Sequence, residues 1–292
     1  MIYGRIQLAY NRVVSLKAGD QLSAYEINDL HFEFEVDRSR DFKSNIAKIK
    51  IYNPNETTIN NILDVGSSIV LEAGYEDEGT GLIYSGQITT SFPDNNGVDT
   101  ILQLESNSLQ GSKELLASLV VSLSYAPESS VDKPIKEIAN IMGLATYGLE
   151  NISDIIMQNG YVFTGLAKEA LRYCKDIIEK EGFIVFIDND TIIVSSEASP
   201  EEVNVTDLRQ ETGLLNAAPL KSTKNKGKKD EKKLENKITF TSIMNPQIAP
   251  NKHIQVDNRR TINGLYVVDK CFFRGSNFGS KPYIVRGEAI ES

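Results

Sequence analysis

Short runs of alternating apolar and polar residues fill the first third of the chain. In HFEFEV, Phe32, Phe34 and Val36 alternate with His31, Glu33 and Glu35; in AKIKIY, Ala47, Ile49 and Ile51 alternate with Lys48, Lys50 and Tyr52. SIVLEAGY places Ile69, Leu71, Ala73 and Tyr75 on one face. LIYSGQI does the same with Leu82, Tyr84 and Ile88 around Gly86, and TILQLES continues with Leu102 and Leu104. A period of two predicts strands with one buried and one wet face. Turn residues separate the runs at NPN (53–55), EDEGTG (76–81) and PDNNG (93–97). Short strands at this spacing predict an antiparallel sandwich or barrel. NETTINNIL (55–63) reads as one short helix inside it.

The period changes in the middle. DKPIKEIANIMG (132–143) has Pro134 near a helix start and Gly143 as its stop. In TGLAKEALRYCKDIIEKEG, Thr164 is placed to cap a helix whose stripe runs through Leu166, Ala167, Ala170, Leu171, Cys174, Ile177 and Ile178, with Gly182 ending it. FIVFIDNDTIIV (183–194) then reads as two strands about a tight Asn189-Asp190 turn. Strands return in KITFTSI, HIQV, GLYVVDKCFF and YIVRGEAI, with Gly275 and Gly279 expected in a polar turn before the last. The pattern predicts an α+β, mainly β chain. It comprises a first β domain over 1–120, a small α/β module over 121–198 and a second β domain over 199–292. The two β thirds share a strand grammar that hints at a duplicated barrel, without a sequence repeat.

The 292 residues carry 40 acidic and 31 basic side chains, for a net charge of −9 and a pI near 5.0. That balance disfavours nonspecific binding to DNA or anionic membranes. No apolar run approaches the roughly 20 residues of a membrane span, and MIYGRIQLAYNR lacks the pattern of a secretory signal. Cys174 and Cys271 read as two buried free thiols. With only His31 and His253 besides, there is no clustered set of zinc ligands. Neither histidine sits in a nucleophile motif, DND at 188–190 runs into a strand rather than completing a calcium loop, and no phosphate-binding glycine loop is present. No catalytic residue, metal or cofactor is therefore expected.

One segment breaks the acidic background. KSTKNKGKKDEKK holds Lys221, Lys224, Lys226, Lys228, Lys229, Lys232 and Lys233. Lysines can neutralise phosphates, but no aromatic side chain is interleaved for base stacking, and Asp230 and Glu231 interrupt the run. A polar run of this kind between ordered strands reads as a mobile loop near 221–236, and as a candidate contact with an anionic partner.

Three segments, in order, resemble the baseplate hub proteins of contractile-tailed phages and related injection systems, the late-control-D-like group. VGSSIVLEAGYEDEGTGLIYSGQITT (65–90) is similar to that group's stretch of Gly, strand, acidic turn and F/Y-x-G-x-I strand, with Tyr84, Gly86 and Ile88 on the last piece. GYVFTGLAKEALRYCKDIIEKEGFIVFIDNDTIIV (160–194) is similar to its middle module, a helix leading to a hairpin. The stretch 242–290 is similar to its closing barrel, with Asn251 where relatives often have Gly. The resemblance implies two tube-protein-like β domains with an α/β insert. It further implies a homotrimeric ring of six such domains that adapts a hexameric tail tube to a trimeric central spike and nucleates tube assembly. Implied partners are the tail tube protein, a separate spike protein (the chain stops at Ser292), other baseplate proteins and, as a further candidate, the tape measure protein. Membrane binding and specific nucleic-acid binding are not implied. Such a protein would reside in the virion tail after assembly in the bacterial cytoplasm. The alternatives are a nucleic-acid-binding module acting through the lysine run and a cell-wall hydrolase of the same particle.

Overall fold

The structure, a computed structural model, describes residues 11–19, 25–27, 29–40, 44–62, 66–96, 99–108, 118–196, 205–220, 237–259, 262–279 and 281–292. The first third holds β1 (Arg12–Gly19), β2 (Tyr25–Glu26), β3 (Phe32–Ser39), β4 (Ile46–Tyr52), helix α1 (Glu56–Ile62), β5 (Ser68–Tyr75), β6 (Gly79–Asn96) and β7 (Asp99–Asn107). The middle holds β8 (Val120–Tyr125), β9 (Ser129–Ser130), α2 (Asp132–Met142), β10 (Ala145–Tyr147), β11 (Ile156–Met157), β12 (Tyr161–Leu166), α3 (Ala167–Ile178), β13 (Phe183–Asp188) and β14 (Thr191–Ser196). The last third holds β15 (Thr206–Arg209), β16 (Leu214–Pro219), β17 (Lys237–Ile243), β18 (His253–Asp257), β19 (Asn263–Ser276) and β20 (Ile284–Glu291).

The chain is mainly β, and thirteen strands from its first and last thirds form one sheet in the order β16-β17-β20-β19-β3-β4-β7-β6-β5-β1-β2. Strand β18 adds to β19, and β15 to β18. All pairings in this sheet are antiparallel except β15 with β18. The seam between the thirds is β19 against β3, where Lys270–Ser276 run opposite Ser39–Glu33. The alternating residues point as their pattern requires. Phe32, Phe34, Val36, Ala47, Ile49, Ile51, Ile69, Leu71, Leu102 and Leu104 are all buried in one core that also takes Phe240, Ile254, Val268, Phe273 and Val285 from the last third. A second core, built by Val121, Ile135, Ile138, Leu171, Cys174, Val185 and Ile192 among others, lies within the middle segment.

Four local expectations are corrected. Leu82 is exposed and Ile83 is buried, because a bulge between Leu71 and Glu72 in the β5–β6 ladder inserts one residue and flips the face. Thr164 does not cap α3. It lies in β12 opposite Ser122, its hydroxyl 3.2 Å from the Ser122 hydroxyl, and Leu166 takes the cap position. Gly275 lies within β19 rather than in a turn: a Cβ there would come within 2.6 Å of both the Phe34 and Tyr283 rings, so the seam needs a residue without a side chain. The turn expected at PDNNG is displaced: Pro93–Asn96 continue β6 opposite Leu102–Asp99. The helix ends and the hairpin turn lie where they were expected. Gly143 ends α2 at φ 69°, Gly182 follows the last turn after α3 at φ 79°, and Asn189 and Asp190 join β13 to β14 at φ 42° and 63°, as a two-residue hairpin turn demands.

The two thirds are built alike, in the same chain order. Strands β3, β4, β5, β6 and β7 make the same pairings as β16, β17, β18, β19 and β20. Three details fix the correspondence residue by residue. The β6–β7 ladder bulges between Ile88 and Thr90, and the β19–β20 ladder between Val268 and Lys270, so Thr89 matches Asp269. Ile88 is bracketed by hydrogen bonds from Gly66 N (2.8 Å) and to Ser67 O (2.9 Å); Val268 is bracketed by bonds from Asn251 N (2.8 Å) and to Lys252 O (3.0 Å). Gly66 and Asn251 both have positive φ, 99° and 66°. Asn is the residue that most readily replaces Gly in this conformation.

Candidate assembly surface

The solvent face of the central strands carries charges in rows. Across four strands Arg274, Glu35, Lys48 and Glu105 stand directly opposite one another, and in the next row Glu33, Lys50 and Gln103 do the same. Arg274 Nε lies 3.3 Å from Glu35, Lys48 Nζ 3.1 Å from Glu105, and Lys281 Nζ 3.4 Å from Glu33. Each exposed pair contributes only about 0.2–1 kcal/mol. Their effect is on the field instead: a broad wet surface is neutralised within itself. Phe92, 44% exposed, stands at the border of this face.

Two of the sheet's edges are left open among the described residues. Strand β5 covers β6 only as far as Gln87, so among the described residues Thr90–Asn96 pair with β7 alone. Among the described residues strand β16 pairs only with β17. On its outer side Asn258 Nδ2 donates to Ala217 O at 3.1 Å. Each edge holds one exposed proline, Pro93 and Pro219. Proline removes a ladder donor and is confined to such edges.

The middle segment meets the large sheet through a buried polar clasp. Arg38, 4% exposed, leaves β3 and binds Asp188 at the tip of β13 with two bonds, Nε to Oδ1 at 3.2 Å and Nη2 to Oδ2 at 2.7 Å. Its Nη1 donates to Ile83 O at 3.2 Å. Asn45 Nδ2 donates to Asp188 Oδ1 at 2.6 Å, and Asn45 N donates to Ser108 Oγ at 2.9 Å. Burial opposes the guanidinium charge, but Asp188 outweighs it and the Arg38 pKa lies above its ordinary value. The neighbouring Asp190 is pushed up to about 6 by burial.

The seven lysines from Lys221 to Lys233 lie outside the described residues. Cys174 and Cys271 are buried free thiols in different cores, each pushed up to about 12 by burial. His31 stacks on Tyr52 with ring centroids 4.7 Å apart, so it is half-buried rather than fully wet. His253 starts β18, and burial followed by Arg40 and Lys252 lowers its pKa. Among the described residues no three His, Cys, Asp or Glu side chains are grouped to hold a metal ion, and no helix is long and apolar enough to cross a membrane. The clasp and the free edges were not singled out from sequence. Pro93 stands in a segment that reads as a turn and Pro219 in no strand-like run, so neither marks an edge before the pairing is known.

Comparison with known proteins agrees with this architecture. The sequence model of a family described as baseplate hub gp41 matches residues 47–256. Curated proteins yield no sequence match. Among solved structures, a tail protein from Neisseria meningitidis superposes with a TM-score of 0.65 at 12% identity, covering 97% of each chain. A 43 kDa tail protein of prophage MuSo2 from Shewanella oneidensis gives 0.65 at 10% identity, over 95% of this chain and 96% of that one. A component of the type VI secretion system of E. coli gives 0.56 at 11% identity, over 91% and 75%. At these identities the structures speak to the fold.

Proposed function

The chain belongs to the baseplate hub gp41 family, and on that premise we propose that three copies form a ring on the axis of a phage tail or tail-like injection particle. The observation that carries this reading is the tandem duplication. Two like units per chain give a threefold ring six like units, a surface that suits a hexameric tail tube on one side. A trimeric spike on the other side meets the true threefold. The role is then structural rather than catalytic: the ring adapts one symmetry to the other and offers the first layer on which tube subunits assemble. The domain limits expected from sequence, 1–120, 121–198 and 199–292, fit this division of labour, with the middle segment as an insert between the two units. We place the protein in the virion tail after assembly in the host cytoplasm. Its partners are tube, spike and other baseplate proteins, with the tape measure protein a further candidate. In this proposal the lysine run from Lys221 to Lys233 serves contact with an acidic neighbour and not the passage, because seven cations per copy beside the passage would hold DNA. The self-neutralised charge rows suit the passage side.

The test is the mass of the purified full-length protein, alone and mixed with its tube and spike proteins. Three copies are expected in the complex. A chain that stays monomeric with both partners present, or forms only dimers, overturns the ring.

A further inference from the structure

The seam inside the chain predicts the seam between chains. Within one copy the end of β19 pairs with β3, joining the second unit to the first. By the residue correspondence above, the counterpart of that β19 segment is Thr90–Asn96 of β6, and the counterpart of β3 is β16. Among the described residues both counterparts lack a strand on that side. Resting on the ring reading, we propose that β6 of one copy docks against β16 of the next in the register of the β19–β3 seam. The occupant of each edge is thus a second copy of this chain.

The register follows from the ladders. Arg274 faces Glu35, Phe273 faces Val36 and Gly275 faces Phe34. Transferred through the matched bulges, Asp94 faces Ala218, Pro93 faces Pro219 and Asn95 faces Ala217 of the neighbour. Phe273 and Val36 are fully buried where the internal seam joins the core. Pro93 and Pro219, at the same positions, are exposed in the single chain. Apolar side chains at core-facing positions, left uncovered on both edges, are what a contact completed only on assembly would show. Neither proline has an N–H, so this pair makes no ladder bond and meets through ring carbons; the nearest ladder bonds fall two residues away, at Asn95 opposite Ala217. Leu220 N donates inward to Lys237 O, which sets Pro219 and Ala217 outward. The Ala217 carbonyl already accepts from Asn258 and has a second lone pair for the neighbour.

Heterologous edges of this kind close into a ring if the rotation permits and otherwise run on as a filament. The experiment is disulfide trapping of full-length protein carrying Asp94→Cys and Ala218→Cys together, with each single variant and an Asp94→Cys/Asn216→Cys pair as controls. Cα atoms opposite each other in a ladder lie within disulfide reach, whereas a two-residue offset does not, so the first pair should cross-link about tenfold faster than the offset pair. A ladder of bands ending at three chains is expected, with monomer only for the singles. Trimers in solution without this cross-link overturn the seam and leave the ring standing. Cross-linked chains extending beyond three uphold the seam and overturn the closed ring. Equal trapping by the offset pair overturns the register. Monomers without any cross-link, in the presence of the tube and spike proteins, overturn both.

Discussion

Replacing Arg38 with Met should be the most damaging single change to the joint between the large sheet and the middle segment. Arg38 is 4% exposed and Asp188 12%, so Arg38→Met leaves a carboxylate shielded from water with no cation beside it. Breaking a buried pair by removing one partner costs about 3–5 kcal/mol. Asn45 still donates to Asp188 at 2.6 Å, which places the expected loss at the low end, about 3 kcal/mol. Removing both charges together is a different perturbation. Arg38→Met with Asp188→Leu replaces the pair by apolar groups, which is often close to neutral, so the double variant should lose only about 1 kcal/mol and the coupling should be about 2 kcal/mol or more. The chain has no Trp and 12 Tyr, so urea unfolding followed by tyrosine fluorescence and by circular dichroism reads the loss. Two probes also reveal whether the segment with its own core unfolds separately. A loss below about 1 kcal/mol for Arg38→Met, or losses that simply add in the double variant, would show that the clasp is a solvated contact and not a buried joint.

Other consequences follow from the same geometry. Asp190 has its folded pKa raised from 3.8 to about 6. The folded state therefore holds that proton more tightly, and its contribution to stability falls as pH rises from 3.8 through about 6. Asp190→Asn, which suits the φ of 63°, should gain about 1 kcal/mol at pH 8 after allowance for partial exposure, and nothing below pH ~4; an unchanged difference across that range in pH-dependent urea titrations counts against the buried carboxylate. Gly287→Ala puts a Cβ 2.4 Å from the Phe240 ring and 2.6 Å from the Lys270 carbonyl oxygen, and thermal unfolding should show a cost of about 1–3 kcal/mol. Gly182→Ala has open space but φ 79°, so about 1 kcal/mol is expected there. Both thiols should resist a thiol reagent at pH 8 in the native protein and react together in denaturant; labelling of either one under native conditions would contradict its burial.

The strands were legible because their pattern is local. Phe34, Ile49, Leu71 and Leu104 are buried by alternation alone, and the Asn189-Asp190 turn follows from residues that tolerate positive φ. What failed was also local, but of another kind. A bulge leaves no mark in the sequence, so Leu82 and Ile83 exchanged faces, and Thr164 met a hydroxyl across a strand pair before it could serve a helix. The duplication was visible only as a similarity of strand grammar. Its proof rests on the backbone at Thr89 and Asp269 and at Gly66 and Asn251, where the matched residues differ in side chain and agree in conformation. The clasp was out of reach, because Arg38 and Asp188 are 150 residues apart and each reads as an ordinary strand-end charge. The free edges required the pairing map, since an edge strand and an inner strand of this composition look alike.

The proposed ring fixes both where the protein sits and in how many copies. A cryo-electron-microscopy reconstruction of the parent particle, calculated without imposed symmetry, tests this most directly. Three copies in one ring on the tail axis are expected, with six like β units facing the tube and β6 of each copy beside β16 of the next. Density for this chain away from the axis, or six copies in the ring, would contradict it.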